Sequence, residues 1–509
     1  MYLSILVTLV SAVVFAALFF RPKRVTPPLH HPPGPKALPL VGNVLDMPMT
    51  QMWLTATKWA AQFGQLVYLH VFGLGIIFLN DSETAIDLME KRGAIYSDRP
   101  HLVMLSDLCG AENILPFTHY GDQLRRHRRL MQQALNPVAI KAYQPLLEIE
   151  SLPFLRRLLS NPSAYMDHIR RYAGTLTLNV IYGHQVTSDD DEFLTIAEEC
   201  GDLFANHLTA GGGVWLVDVL PFLKHIPTWF PGAGFKRKAA VWKAKFEEFA
   251  EKPFASFKSK MKTGDCTPCF CSTLWQREGQ AIDPQMEFDL KWAANTIYSG
   301  SLDTTITTMS QFILAMVLHP EVQIKAQKEI DSVVGSERLP TLSDRPFLPY
   351  TECVMSECWR WASPVAVGVP HRLMEDDIYK GMFLPKGSLV FANIWAMLHD
   401  ESLFPNPNKF DPDRFLEKAD EQTERKRDPR TYVFGFGRRR CPGMHLAEST
   451  VWLLMVSMLA ALDLRKAKDE NGNEVDPVAH YNNSVFTMPD PFKFDVRPRE
   501  HMEKLVETT

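Results

Sequence analysis

One short stretch constrains this chain more than any other: Phe434-Gly435-Phe436-Gly437-Arg438-Arg439-Arg440-Cys441-Pro442-Gly443. It sets a single cysteine on a glycine-bounded loop among arginines. Gly437 and Gly443 let the backbone turn tightly and approach a flat group with no Cβ in the way. Arg438, Arg439 and Arg440 favour the ionised thiol, and one of them can pair with a carboxylate on a bound cofactor. Iron is a metal that a lone thiolate can hold, and a haem held by cysteine gains electron density that favours O–O cleavage. The competing reading is a small buried core cysteine, the ordinary use of a free thiol. The five positions Phe434, Gly437, Arg439, Cys441 and Gly443, taken together, weigh against it.

The pattern Phe434-x-x-Gly437-x-Arg439-x-Cys441-x-Gly443 resembles the haem-binding loop of the cytochrome P450 monooxygenases. The resemblance implies a mainly α fold with smaller β-sheets. It also implies a bound haem b (heme b, iron-protoporphyrin IX) with Cys441 as the axial ligand to iron. The partners implied are NADPH-cytochrome P450 reductase, O2 and a lipophilic small molecule.

The ends of the chain and its charge bound the rest. Residues 1–20 carry no charged side chain. As a helix they would span about 30 Å, the thickness of a bilayer's hydrocarbon core. Arg21, Lys23 and Arg24 follow the apolar run, where a secretory signal would carry its positive charge first. The pattern predicts an uncleaved single-pass anchor with the body of the protein in the cytosol, and the resemblance implies the endoplasmic reticulum membrane. Residues 21–36 form a basic, proline-rich connector, expected to be a stiff, non-helical hinge. Residues 37–509 then form one catalytic domain, with no repeat or internal boundary. A formal net charge of −5 gives no general attraction to nucleic acid. Cys266-x-x-Cys269-x-Cys271 lacks a nearby fourth ligand for structural zinc, so a surface loop of reduced thiols is the expectation.

The apolar pattern predicts a hairpin over 67–79 and strand-like structure over 383–393, with a turn at Pro385-Lys386-Gly387. Helices are predicted over 123–134, 290–318, 321–334, 349–361 and 444–464. The second of these holds Gly300-Ser301-Leu302-Asp303-Thr304-Thr305 at its middle. An acid beside a hydroxyl can relay protons into a dry pocket, since threonine both donates and accepts. By resemblance, Asp303 and Thr304 match the family's acid–alcohol pair, and Gly300 marks the opening that makes room for oxygen. Read without the family, Thr304 bonds back to the preceding turn and Asp303 is solvated. Ser301 stands where the family usually has glycine, and its hydroxyl is expected to alter the water network. The Ser and Thr content and Asp303 argue against this helix as a second membrane span.

Glu357 and Arg360 lie three apart on a predicted helix, close enough to pair. They match the family's Glu-x-x-Arg, which a third residue, here Arg414 of Pro412-Asp413-Arg414-Phe415, joins to hold the cysteine loop. Arg128 matches a family arginine that binds a haem propionate, while the usual tryptophan four residues earlier is Leu124. Arg99, His371 and Arg439 are further propionate candidates by resemblance. Outward arginines near Arg128, with Lys426 and Arg427, suggest a basic docking face for an acidic reductase; a solvated surface is the equal alternative. Substrate contacts are expected in 102–117, 204–216, 365–369 and 485–488, and near Ser299 and Leu302. The wording of the motifs is closest to fungal members that tailor secondary metabolites. Two other classes remain open: a haem-thiolate isomerase, dehydratase or peroxide-using enzyme, and a non-catalytic haem carrier or sensor.

Overall fold

The computed structural model describes residues 30–48, 50–188, 190–208, 215–277, 282–481 and 485–507. The expected anchor, residues 1–20, and the first part of the hinge lie outside these. The described end of the hinge is non-helical, as its prolines require. It is pinned to the body: the Tyr68 backbone N–H donates to Pro33 O at 3.1 Å, and the His31 ring stacks on Tyr68 at 4.4 Å. Gly34 permits this contact, because a Cβ there would lie 1.9 Å from the Tyr68 carbonyl oxygen.

The fold is mainly helical with small sheets. The predicted hairpin forms from Leu66–Val71 and Leu74–Leu79, turning at Phe72 and Gly73, both at positive φ. Leu74–Leu79 continues in parallel with Leu389–Ala392, which pairs with His371–Arg372, giving a four-stranded sheet. This sheet brings His371, far along the chain, beside the segment that follows residue 96.

The helical body is built around Pro284–Leu318, the central helix. Asp283 caps it by accepting from the Met286 N–H at 2.7 Å, and Pro284 occupies the first turn, where no amide donor is needed. It is apolar on nearly every side and buried, as a helix at the middle of a large core must be. Tyr165–Tyr182, Asp122–Leu135, Gly234–Thr263 and Met444–Ala461 pack around it. The central helix and Met444–Ala461 are long and apolar enough to cross a membrane, but both are mostly buried inside the globule.

Four of the predicted helices lie within a few residues of their expected ends: Asp122–Leu135, Pro284–Leu318, Pro320–Val333 and Pro349–Trp361. The fifth does not run to 464. It ends at Ala461, and Leu462–Lys468 is a strand paired with Phe494–Pro498. Leu462 and Leu464 point inward while Asp463 is half-exposed, a two-residue period that a helix cannot satisfy. The cysteine-rich segment also differs from expectation. Cys269 and Cys271 are packed into the core at the start of helix Phe270–Arg277, and only Cys266 is partly exposed. All eight cysteines are free thiols.

Candidate active site

The cysteine loop is closed by its own backbone, with the Cys441 N–H donating to Phe434 O at 2.7 Å. Gly437 adopts φ +51°, and a Cβ there would lie 2.4 Å from the Met89 carbonyl oxygen, so only glycine lets the loop seat on the preceding segment. Directly after the loop, Gly443 O accepts from Ala447 N–H at 2.9 Å and starts helix Met444–Ala461. Cys441 thus stands just before a helix N-terminus, where the dipole favours a thiolate.

Cys441 alone among the cysteines is exposed, yet protein surrounds it densely. That burial pushes its thiol pKa up, opposed by the Gly443 N–H and the charges of Arg128 and Arg440. A thiol that is accessible and also deep lines an internal space. A second opening lies on the central helix. Gly300 is exposed between the buried Tyr298 and Leu302, and no atom lies within 4 Å of a Cβ built on it.

Segment 97–118 connects the loop to the central helix. Arg439 donates to the carbonyls of Ser97 at 2.7 Å, Leu115 at 3.2 Å and Thr118 at 2.8 Å. The Leu115 N–H in turn donates to Thr296 Oγ1 on the central helix at 3.1 Å. Arg439 is therefore an anchor for this segment as well as a propionate candidate.

The positive groups here outnumber their partners. Arg99 donates to Val369 O at 2.6 Å and Pro370 O at 2.8 Å, but its buried Nε has no partner. Burial and the Arg439 charge hold its pKa well below the usual arginine value. Burial also brings Arg439 down to about 10, with Asp98 working against that shift and Arg128 adding to it. His371 donates from Nδ1 to Tyr96 O at 2.6 Å, and burial, then Arg99, keep it neutral. Arg128 Nη1 is buried without a partner. Of the neighbouring carboxylates only Asp98 offsets this charge, and it also receives Arg372 at 2.5 Å, His119 at 3.1 Å and the Tyr120 N–H at 2.8 Å. Buried cations without counter-charges are costly, so the arrangement calls for an anion. Haem fits both parts: Cys441 would hold its iron, and Arg128, Arg99, His371 and Arg439 would face its two propionates. Leu124, at the usual tryptophan position, is buried and brings no donor.

On the central helix the Thr304 hydroxyl donates to Gly300 O at 2.9 Å. Asp303, next to it, faces helix Glu192–Asp202, where a Cβ on Gly201 would lie 3.0 Å from Asp303 Oδ2. Burial raises the Asp303 carboxyl to about 6; Arg170 opposes the shift, while Asp202 and Glu198 add to it. Ser301 has partners on two helices. Its hydroxyl donates to Tyr298 O at 2.9 Å and accepts from Thr177 at 2.9 Å, so it ties two helices together.

Glu357 and Arg360 are fully buried, and Arg414 is nearly so. Arg360 donates to both Glu357 oxygens, at 2.6 and 2.8 Å, and Arg414 joins at 3.3 Å. The Asp411 N–H adds a fourth hydrogen bond at 2.7 Å. A line of contacts continues from this triad to the loop. Arg427 donates to Arg414 O, Arg430 lies 5.3 Å over the Trp359 ring, and Trp359 meets Phe434 edge-on at 5.4 Å. Arg440 then donates to Arg430 O at 3.1 Å. Arg427 is half-buried in this line and is not part of an outward basic face. Arg125, Arg129 and Arg438 are exposed, with Tyr120 between Arg125 and Arg438.

Two polar centres had no signal in the sequence. One is Asp98, whose partners come from residues 119, 120 and 372. The other is buried Asp289, which accepts from Arg126 at 2.5 Å and from His127 and Gln285 at 3.1 Å each. Only Gln285 stands at helical spacing from its partner.

Comparison with known proteins gives the family. The family model described as "Cytochrome P450" matches residues 32–496, so the chain belongs to the cytochrome P450 family, whose members bind haem through a cysteine thiolate. Cytochrome P450 monooxygenase claT of Ampulloclitocybe clavipes is 44% identical over 94% of this chain and 93% of the relative. Cytochrome P450 monooxygenase 176 of Postia placenta is 39% identical over 92% of this chain and 90% of the relative. The general activity that goes with this family is haem-thiolate monooxygenation. A zebra fish cytochrome P450, solved with abiraterone, shares the fold at a TM-score of 0.70 and 22% identity, covering 88% of this chain and all of that one.

Proposed function

We propose that this protein is a membrane-anchored monooxygenase. It takes electrons from NADPH through NADPH-cytochrome P450 reductase and inserts one atom of O2 into a lipophilic substrate. The observation that carries the reading is the accessible, deeply placed Cys441 thiol beside Arg99 and Arg128, each with a buried N–H group that has no partner. Residues 1–20 would anchor the chain in the endoplasmic reticulum membrane, with residues 37–509 as the cytosolic catalytic domain. The matched relatives from two fungi, claT among them, favour secondary metabolism. The reductase would dock on the face that presents Arg125, Arg129 and Arg438.

When bound, haem supplies activation of O2 at an iron held by the Cys441 thiolate. The chain's own residues do the rest. Arg128, Arg99, His371 and Arg439 would seat the propionates, and Arg439 also fixes the segment that walls the site. Phe117 stacks on Phe204 at 5.5 Å, and Phe204 lies 4.5 Å from Phe246, an aromatic lining suited to an apolar substrate. Thr304 holds a hydroxyl at the opening by Gly300, and Asp303 takes up protons on the far side of the helix.

Thr304→Ala should lower product formed per NADPH by about 100-fold, within the usual range for a positioned proton donor. Product and NADPH are counted together; unchanged coupling would remove Thr304 from the relay. Asp303 contributes a pH dependence. With a pKa of about 6 it is mostly protonated below that value. At pH 7 about a tenth remains protonated. Where proton delivery limits turnover, the rate should fall as pH rises through 6, and Asp303→Asn should be slower and lose this limb. A limb retained in Asp303→Asn would assign it to another group.

A further inference from the structure

Outside the haem site, two histidines face each other across a short gap. His119 Nε2 and His101 Nδ1 are 3.5 Å apart, with the rings 18° from parallel. The outer nitrogen of each ring is already engaged. His101 Nε2 lies 2.8 Å from Asp107 Oδ1, and His119 Nδ1 lies 3.1 Å from Asp98 Oδ1. Both carboxylates are themselves held. Asp107 Oδ2 accepts from Lys224 at 2.7 Å, and Asp98 Oδ2 accepts from Arg372 at 2.5 Å.

A neutral imidazole has one N–H and one lone pair. The facing nitrogens of His119 and His101 are within hydrogen-bond reach of each other, so a single proton can lie between them, and a metal cation that displaces that proton would take a lone pair from each ring. A carboxylate behind each histidine is the usual outer support of a histidine metal ligand, fixing the ring and raising its basicity. The spacing suits a metal: zinc–nitrogen bonds of about 2.05 Å at a tetrahedral angle place two nitrogens about 3.4 Å apart.

We propose that His101 and His119 bind a divalent transition-metal cation of the zinc class. The described residues hold no cluster of three or more histidine, cysteine or carboxylate ligands, so two protein nitrogens bind here and water completes the shell. The side chains are 40% and 46% exposed, which leaves that room. Imidazole ligands select zinc, nickel or copper over magnesium and calcium, which take oxygen. The cation joins the two ends of segment 101–119. That segment includes Leu115, tied to Arg439 and Thr296, and Phe117 of the aromatic lining. Occupancy therefore restrains one wall of the haem site from outside it.

The test is isothermal titration of the full-length, haem-loaded protein with zinc chloride and, separately, magnesium chloride. Wild type should bind one more equivalent of zinc than either His101→Ala or His119→Ala, and magnesium should not fill that site. Asp107→Asn should weaken the zinc affinity about tenfold or more. Zinc should also slow amide hydrogen exchange across 102–118 in the wild type and protect both rings from diethyl pyrocarbonate, readouts that need no substitution. Equal zinc stoichiometry in wild type and both alanine variants, no zinc binding at all, or equal filling by magnesium would each overturn the proposal.

Discussion

Cys441→Ala should yield a folded protein that forms no oxidised product above the level seen without enzyme. The residue is exposed, so its loss opens no cavity in a packed region, and the polypeptide itself should keep its stability within about 1 kcal/mol. The arginines that would seat the propionates are untouched, so some haem should still associate. What disappears is the thiolate, with the electron density that favours O–O cleavage. The other seven thiols cannot replace it. Six are buried, and Cys266, the one that is partly exposed, is engaged with its own loop, its thiol donating to Thr267 O. Absorption spectra and product analysis on the same preparation check both halves. A thiolate-type spectrum surviving in Cys441→Ala would overturn the ligand assignment.

Glu357→Gln should be the most damaging substitution away from the haem site, at a cost of about 3–5 kcal/mol. The carboxylate receives Arg360 through two hydrogen bonds, Arg414 through one and the Asp411 N–H through another, all in a region closed to water. A neutral amide leaves two buried guanidinium groups without their counter-charge. It also places an NH2 against donors. Since whole domains are stable by only about 5–15 kcal/mol, a loss of this size should cut the yield of haem-loaded protein severely. Thermal unfolding and haem content per polypeptide measure it. The triad reaches the loop indirectly, through its own helix and through Arg430 and Trp359, so whatever protein does load should turn over at close to the wild-type rate per haem. A well-loaded variant with a large fall in turnover would contradict the structural role and place Glu357 in the chemistry.

The site was legible in the sequence where its parts lie close together along the chain. The cysteine loop is ten consecutive residues, and its glycines are needed for local reasons that the structure displays at Gly437. Glu357 and Arg360 share one helix face, so their pairing follows from spacing alone, although their burial does not. Asp303 and Thr304 are neighbours, but only the folded chain shows Asp303 turned toward Gly201 and raised by burial.

Contacts between distant segments left no trace. Nothing near Ser301 in the sequence shows that Thr177, on another helix, donates to its hydroxyl oxygen. Arg427 looked like surface charge until Arg414 O accepted from it. Asp98 gathers partners from two distant segments, at residues 119–120 and 372, which no local pattern encodes. The helix ending at Ala461 was overrun for a similar reason. Apolar content continues through Leu464, and only pairing with Phe494–Pro498 decides that those residues form a strand.

Turnover under 18O2 tests the central claim most directly. The full-length protein would be co-expressed with a reductase in microsomes, supplied with NADPH and a panel of terpenoids, polyketides and polycyclic aromatics, and its products read by mass spectrometry. The account predicts a product heavier than its substrate by one oxygen atom, that atom carrying the label and its appearance requiring both NADPH and O2. A converted substrate whose product gains no labelled oxygen, or forms equally well without NADPH and O2, would contradict it and favour a haem-thiolate enzyme of a different reaction class.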